Sequence, residues 1–344
     1  MRNNSISLKI WSKLYKLIIE FYKLKPWEWM TDHDLFGVEN PIDNKIGYCC
    51  IMGKLGRFKS LSIYLGTDGL ESYLSICSGK VDAGSFEALL NQKCIMLSFE
   101  DIENLSEDDI EVVQALELNF EKNEFPLIRN YSQGYLPWFI DNYDADFLIN
   151  SLEQVIEISL RAKECKRFIN SDNKKFLVRV RKDEIWEDEY IIPKKNRAKD
   201  IKPLIDNDLI QKIDKIKIDK EQVWNIISIN LPTPTRENNQ RPYYPYIMII
   251  SDNTTGEAFG FEITEYNKIF NKFPTILLNT IIENNLIPSK INVYQKEVKK
   301  MFNFICKKFN IEIKMNKNAD KLKPIIEETI KIIHSQEMSE VMEM

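Results

Sequence analysis

The sequence predicts an α+β protein of two domains, and three observations carry that expectation. Apolar residues recur both at every second position and at steps of three and four, so half-buried strands and one-sided helices are both expected. The chain has 344 residues, more than the roughly 100 to 200 of an ordinary domain. Between residues 194 and 220 the apolar pattern gives way to a charge run that opens KKNRAKDIK and closes IDKIKIDK. The expected organisation is an N-terminal α+β domain over 1–193, a charged linker over 194–220, a C-terminal α/β domain over 221–336 and a frayed tail over 337–344.

In chain order, Ile6 to Leu24 places Ile10, Leu14, Leu17, Ile18 and Phe21 on one face of a helix, with lysines elsewhere. A membrane-surface helix and a helix docked on the core share this pattern; Trp11 and Tyr15, which need packing partners, favour docking. Pro26 stops the helix, and KPWEWMTDHDLFGVENP follows. Ile46 to Gly53 and Lys59 to Leu65 read as a hairpin about KLGRF. GTDG at 66–69 introduces a helix over Leu70 to Cys77, with Asp68 as its N-cap; free amides there could cradle an anion, but neither GxGxxG nor GxxxxGK[ST] is present. Cys94 to Phe99 is a strand, and the acidic run EDIENLSEDDIE after it reads as solvated charge. Phe125 to Tyr131 and Leu136 to Asp141 are strands flanking SQG, Asp144 caps a helix to Phe168, and Lys175 to Arg181 with Ile185 to Ile192 form a last hairpin.

Past the charge run, Val223 to Leu231 is strand-like and ends at Pro232. Tyr246 to Ser251 and Ala258 to Thr264 form a hairpin about DNTTG, the clearest turn signal in the chain. Thr264 then caps a helix whose Pro274 predicts a break or kink near Phe273. Ile291 to Tyr294 is a core strand. Val298, Met301, Phe302, Ile305 and Phe309 mark the next helix, Ile311 to Met315 another strand, and Ile325 to His334 a final helix. The order β-β-β-α-β-α-β-α predicts a mixed sheet layered with helices.

Hydrophobic residues make up 44% of the chain and charged residues 29%, the formal net charge is −5, and there are six cysteines and two histidines. This is the composition of a globular, cytoplasmic chain with reduced thiols. It disfavours Cys/His metal sites, and no apolar run approaches the length of a membrane span. No nucleophile and base pair, phosphate loop or cofactor motif stands out, so the expected function is that of a binding or adaptor protein with a protein or small-molecule partner and no cofactor. Two stretches supply candidate binding residues. The first is Trp27, Glu28, Trp29, His33 and Asp34: the tryptophans, with Leu35 and Phe36, read as either a recognition groove or a cap on the N-terminal core, and Glu28, Asp32, His33 and Asp34 form the one compact cluster of acids and histidine, a solvated surface or, in an enzyme, the place for catalysis with His33 as base or ligand. The second is the basic segment 286–324, which holds ten lysines against Glu297, Glu312 and Asp320, so 10 − 3 = +7. Helical spacing gathers Lys296, Lys299, Lys300 and Lys307 on one side, which makes nucleic-acid binding the main alternative.

Two resemblances add to this reading. Trp11 with Leu14 and Tyr15, PWEW at 26–29, DLFGV at 34–38, IMG at 51–53, YLG at 64–66, Gly69 with Leu70 and GYLPWF at 134–139, followed by RPYYPYIMIISDNTTGEAFGF from Arg241, resemble a bacterial two-domain family of unknown function. That resemblance implies the two-domain split and brings no activity with it. The C-terminal element order is loosely similar to the ribonuclease H-like layout, whose nucleases hold two metal ions between carboxylates on the first strand, at the end of a later strand and on a final helix. Asp252 fits the first position, Val293-Tyr294-Gln295 leaves the second without a carboxylate, and Glu327 and Glu328 lie on the last helix. A degenerate ribonuclease H-like nuclease is therefore a further alternative.

Overall fold

A computed structural model describes residues 6–54, 56, 58–169, 175–194, 205–238 and 240–342. The chain divides into two compact units, Met1–Asn196 and Arg197–Met344. Most of the stretch 194–202, where the sequence places the domain boundary, lies outside the described residues.

Among the described residues of the first unit, the strands make one seven-stranded sheet. β1 (Phe36–Glu39), β2 (Ile46–Met52), β3 (Ser60–Leu65), β4 (Cys94–Glu100) and β5 (Phe125–Tyr131) form an antiparallel meander, while β6 (Phe176–Lys182) pairs parallel with β1 and carries β7 (Ile185–Ile191) as the far edge. β1 is the DLFGV segment, and it joins the meander to the late hairpin. Gly37 has to be glycine there: a Cβ would come within 2.9 Å of Val178 and 2.8 Å of Ile46. On one face, α1 (Leu8–Leu24) and α5 (Asn142–Glu164) bury Leu14, Ile18, Phe21, Phe147, Leu148 and Leu152 in the main core. On the other, α2 (Gly66–Cys77) covers Tyr48, Cys50 and Tyr64 with Leu70 and Tyr73. α1 therefore turns its apolar face to the core, the docking alternative, and none of the helices among the described residues is long and apolar enough to cross a membrane.

Several local expectations are corrected. Leu65, not Asp68, is the N-cap of α2; Asp68 sits in its first turn. Asp141 caps α5 by accepting the Asp144 amide at 2.9 Å, which leaves Asp144 in the first turn to accept from Asn130 Nδ2 at 2.8 Å. Leu136 to Asp141 contributes a single bridge, Trp138 to Asn130, and no strand. α3 (Phe86–Asn91) was not foreseen. The acidic run is more than solvated charge, because it contains α4 (Glu107–Ala115). A capping box starts α4: Ser106 Oγ accepts the Asp109 amide, and the Asp109 carboxylate accepts the Ser106 amide at 3.0 Å. Three acids in the first turn complement the positive end of the helix dipole.

In the second unit the charge run is structured from Ile205 onward. Asp206 caps α6 (Asn207–Ile213), which buries Ile213, and the strand β8 (Ile218–Asn230) begins before the expected linker ends. β9 (Tyr246–Asp252), β10 (Ala258–Thr264), α7 (Ile269–Glu283), β11 (Ile287–Val293), α8 (Lys296–Lys308), β12 (Glu312–Met315) and α9 (Lys323–Met342) follow in the order the sequence predicts. The sheet order is β10-β9-β8-β11-β12, with β9 antiparallel to both neighbours and β8, β11 and β12 parallel. Three antiparallel strands are thus extended by two parallel ones beside the first. α7 and α8 cover one face through Phe273, Leu277, Ile281, Met301, Phe302 and Ile305. α9 covers the other, with Ile325, Ile326 and Ile330 against Ile227, Ile249 and Tyr294. α7 is not broken at Pro274: the ring lies buried in the second turn, where only the bond to the Phe270 carbonyl is lost. α9 continues beyond His334, where the sequence places its end.

Candidate nucleic-acid interface

α8 presents a basic surface in the second unit. Its apolar residues Val298, Met301, Phe302, Ile305 and Cys306 are buried, so the remaining directions of a 3.6-residue helix face solvent. Gln295 fixes where the helix begins: its Nε2 donates to the Ser228 carbonyl at 2.8 Å and its Oε1 accepts the Ser228 amide at 3.2 Å, clamping the start of α8 to β8. Lys296, Lys300 and Lys307 are exposed and Lys299 half-buried at the margin of the same surface. Among the described residues none of these four has an ion-pair partner; of the other carboxylates in the basic segment, Glu312 pairs with Lys290 at 3.2 Å and Asp320 with Lys323 at 2.6 Å. The sequence reading missed one residue here. Phe304, 41% exposed, falls four residues after Lys300 and three before Lys307, so an open aromatic ring stands among the lysines. Its signal was in the spacing, obscured by the neighbouring Phe302, which is buried.

The ribonuclease H-like positions read differently from the expectation. Asp252 lies at the end of β9, the second strand, and its Oδ1 accepts the amides of Thr254 and Thr255, each at 2.7 Å, to close the DNTTG turn. The first strand is β8, and its residue in register with Asn292 of β11 is Asn225. On α9, Glu327 and Glu328 are exposed while Ile325, Ile326 and Ile330 pack on the sheet. Neutral amides on the two central strands and an apolar helix above them do not supply the anionic ligands that two divalent cations demand. No group of three or more His, Cys, Asp or Glu side chains suited to a metal occurs among the described residues.

In the first unit the PWEW segment is tied down. Trp27 is buried among Phe21, Tyr22 and Phe99, and half-buried Trp29 donates Nε1–H to the Ser159 carbonyl at 2.9 Å beneath the Lys163 ammonium. Asp34 is buried and accepts the Thr31 amide at 2.8 Å, the Thr31 hydroxyl at 3.1 Å and Lys166 Nζ at 3.3 Å. Burial alone would raise its carboxyl, but the bonds from Thr31 and Lys166 outweigh it and hold the group below the usual carboxylate range. His33 and Glu28 are exposed, and His33 Nε2 lies 3.9 Å from Asp32. The residues are neighbours, yet Asp34 is engaged inward and His33 outward, so they do not converge on one reacting point. GTDG borders a concavity of about 560 Å³ with Lys45 and Lys93, and both lysines are neutralised, by Asp43 at 2.6 Å and Asp68 at 2.9 Å. The cysteines are free. Burial raises the thiols of Cys49, Cys50 and Cys94 and pushes Cys306 up to about 12, which suppresses the thiolate that nucleophilic chemistry requires.

Fold and surface together define a two-domain α+β protein with a basic helix on its second domain. Residues 11–179 match the family model of a domain of unknown function (DUF7309), and residues 209–329 match that of a second domain of unknown function (DUF6930). The two matched domains follow one another along the chain. No curated protein matches it.

Proposed function

We propose that the protein is a binding protein whose C-terminal domain holds nucleic acid on the outer surface of α8 and does not cut it. One observation carries this reading: Lys296, Lys299, Lys300 and Lys307 share one side of α8 without ion-pair partners among the described residues, around the exposed ring of Phe304. Unpaired ammonium groups release counterions from a phosphate backbone, and an open aromatic ring offers a base a stacking platform. A local charge of +7 in a chain of net −5 keeps that attraction confined to one region. In the N-terminal domain, the inward contacts of Trp27, Trp29 and Asp34 support a packing role, which leaves exposed Glu28 and His33 to modulate the surface.

The test is affinity for generic single-stranded and duplex DNA and RNA at increasing salt. For duplex DNA the log–log slope is expected to shrink by roughly 0.9 for each phosphate contact removed. Reversing Lys296, Lys300 and Lys307 to Glu should abolish binding at low salt, and Phe304→Ala should weaken single-stranded binding more than duplex binding. Affinity that is absent at low salt, or indifferent to the triple reversal, excludes this function and leaves a protein or small-molecule partner to be sought by pull-down.

A further inference from the structure

We propose that Asn225, Asn253, Asn292 and Tyr294 form a neutral hydrogen-bond lock at the centre of the C-terminal sheet, standing where carboxylates in this strand order would create a divalent-cation site. The inference concerns the sheet and is independent of nucleic-acid binding on α8.

Register places the residues. Ser251 of β9, Asn225 of β8, Asn292 of β11 and Lys314 of β12 are successive partners across four strands, so their side chains share the face covered by α9. The two asparagines in the middle are only 4% and 6% exposed. Asn292 Nδ2 donates one hydrogen to Asn225 Oδ1 at 3.1 Å and the other to Asn253 Oδ1 at 3.3 Å. Asn225 Oδ1 also accepts from the Tyr294 hydroxyl at 3.1 Å. The network joins β8, β11 and the start of the 252–256 turn.

Its chemistry is directional. Position 292 must supply two N–H donors to two amide oxygens, which a carboxylate cannot do, so an aspartate there would put its oxygens against two acceptors. Position 225 needs only an acceptor, and an aspartate there would keep both hydrogen bonds at the cost of burying a charge. With aspartate at both positions, two carboxylates would stand at hydrogen-bond distance on adjacent strands. Like charges that close cannot both ionise unless a cation lies between them, and the amide oxygen of Asn253 and the hydroxyl of Tyr294 would add the hard oxygen ligands that Mg²⁺ or Mn²⁺ prefers. The lock is thus one donor pattern away from a cation site.

The experiment uses the full chain, freed of metal with EDTA, and Mn²⁺ alone as the probe, followed through the paramagnetic resonance signal of the free aqueous ion and through thermal melting. Wild type should leave the signal unchanged up to low-millimolar Mn²⁺, with no shift in Tm. Asn225→Asp/Asn292→Asp should take up Mn²⁺ and melt several degrees higher in its presence. If that variant is recovered only as unfolded chain, refolding in Mn²⁺ against EDTA becomes the readout, and recovery in Mn²⁺ is the expected result. As single changes without metal, Asn292→Asp should lower Tm more than Asn225→Asp, because it removes two donors. Four results would overturn the proposal: saturable Mn²⁺ uptake by wild type that Asn225→Ala removes; a folded double variant indifferent to Mn²⁺; a double variant that refolds in neither condition; or the reverse order of the two single changes.

Discussion

Asp34 shows how a residue that looks catalytic in sequence becomes structural in space. It belongs to the chain's one compact cluster of acids and histidine, yet its carboxylate is spent on Thr31 and Lys166. Because its folded pKa is depressed, its stabilising contribution is present above the unfolded carboxylate value and is lost as pH falls through the lower folded value. Asp34→Asn should therefore melt earlier at neutral pH and show a flatter decline on acidification than wild type; parallel acid limbs for the two proteins would refute this. Trp27 and Trp29 separate in the same way. Trp27→Ala removes a buried ring from an aromatic cluster and should cost about 3 to 5 kcal/mol. Trp29→Phe keeps the packing and loses the bond to Ser159, so about 1 kcal/mol is expected. Equal destabilisation of the two variants in urea would contradict this division. In sequence the two tryptophans are equivalent, since only tertiary contact decides which of two residues, two positions apart at a 3₁₀ turn and its C-cap, faces the core.

At the scale of elements, the legible parts were those whose signal is local. The hairpins at β2–β3, β6–β7 and β9–β10, and the helices α1, α5, α7 and α8, follow from periodicity and turn residues. β1 escaped because four residues carry too little periodicity, and its parallel partner β6 lies some 140 residues away in sequence. α4 escaped because an acidic run reads as solvent-facing until the partner of Asp109 is known: Arg129 on β5 meets it at 2.8 Å, and both side chains are largely buried. The capping box and the ion pair share one carboxylate, so Asp109→Ala should remove both and cost roughly 3 kcal/mol or more, leaving a buried guanidinium unpaired. Ser106→Ala removes the cap and the hydroxyl bond to the Asp109 carboxylate but leaves the Arg129 pair, and should cost about 1 kcal/mol. Comparing the two by urea denaturation tests the sharing; equal losses would mean that the Arg129 pair contributes nothing. The candidate site was half legible for the same reason. Lysine spacing on α8 was visible in sequence, whereas Asn225 and Asn292 are 67 positions apart and only strand register brings them together.

At the scale of the whole chain, the two units are built on separate cores. One contains Phe21, Phe36, Ile63 and Phe147, the other Trp224, Ile250, Phe273 and Phe302, and no buried residue is common to both. Each core is large enough for a self-supporting domain, since units of 196 and 148 residues (Met1–Asn196 and Arg197–Met344) fall within the usual domain range. The sequence from Lys194 to Lys202 offers Lys194, Lys195, Arg197, Lys199 and Lys202 as trypsin sites, with Ala198 and Ile201 as its apolar residues. Limiting amounts of trypsin should therefore cut first within this stretch and release two fragments that each melt cooperatively. The C-terminal fragment should keep the salt-dependent affinity for nucleic acid, because every residue assigned to that surface lies between Lys296 and Lys307. A full-length chain that resists cleavage there and is cut first elsewhere would remove the two-domain boundary. Fragments that both fold, with binding retained only by the N-terminal one, would move the interface away from α8.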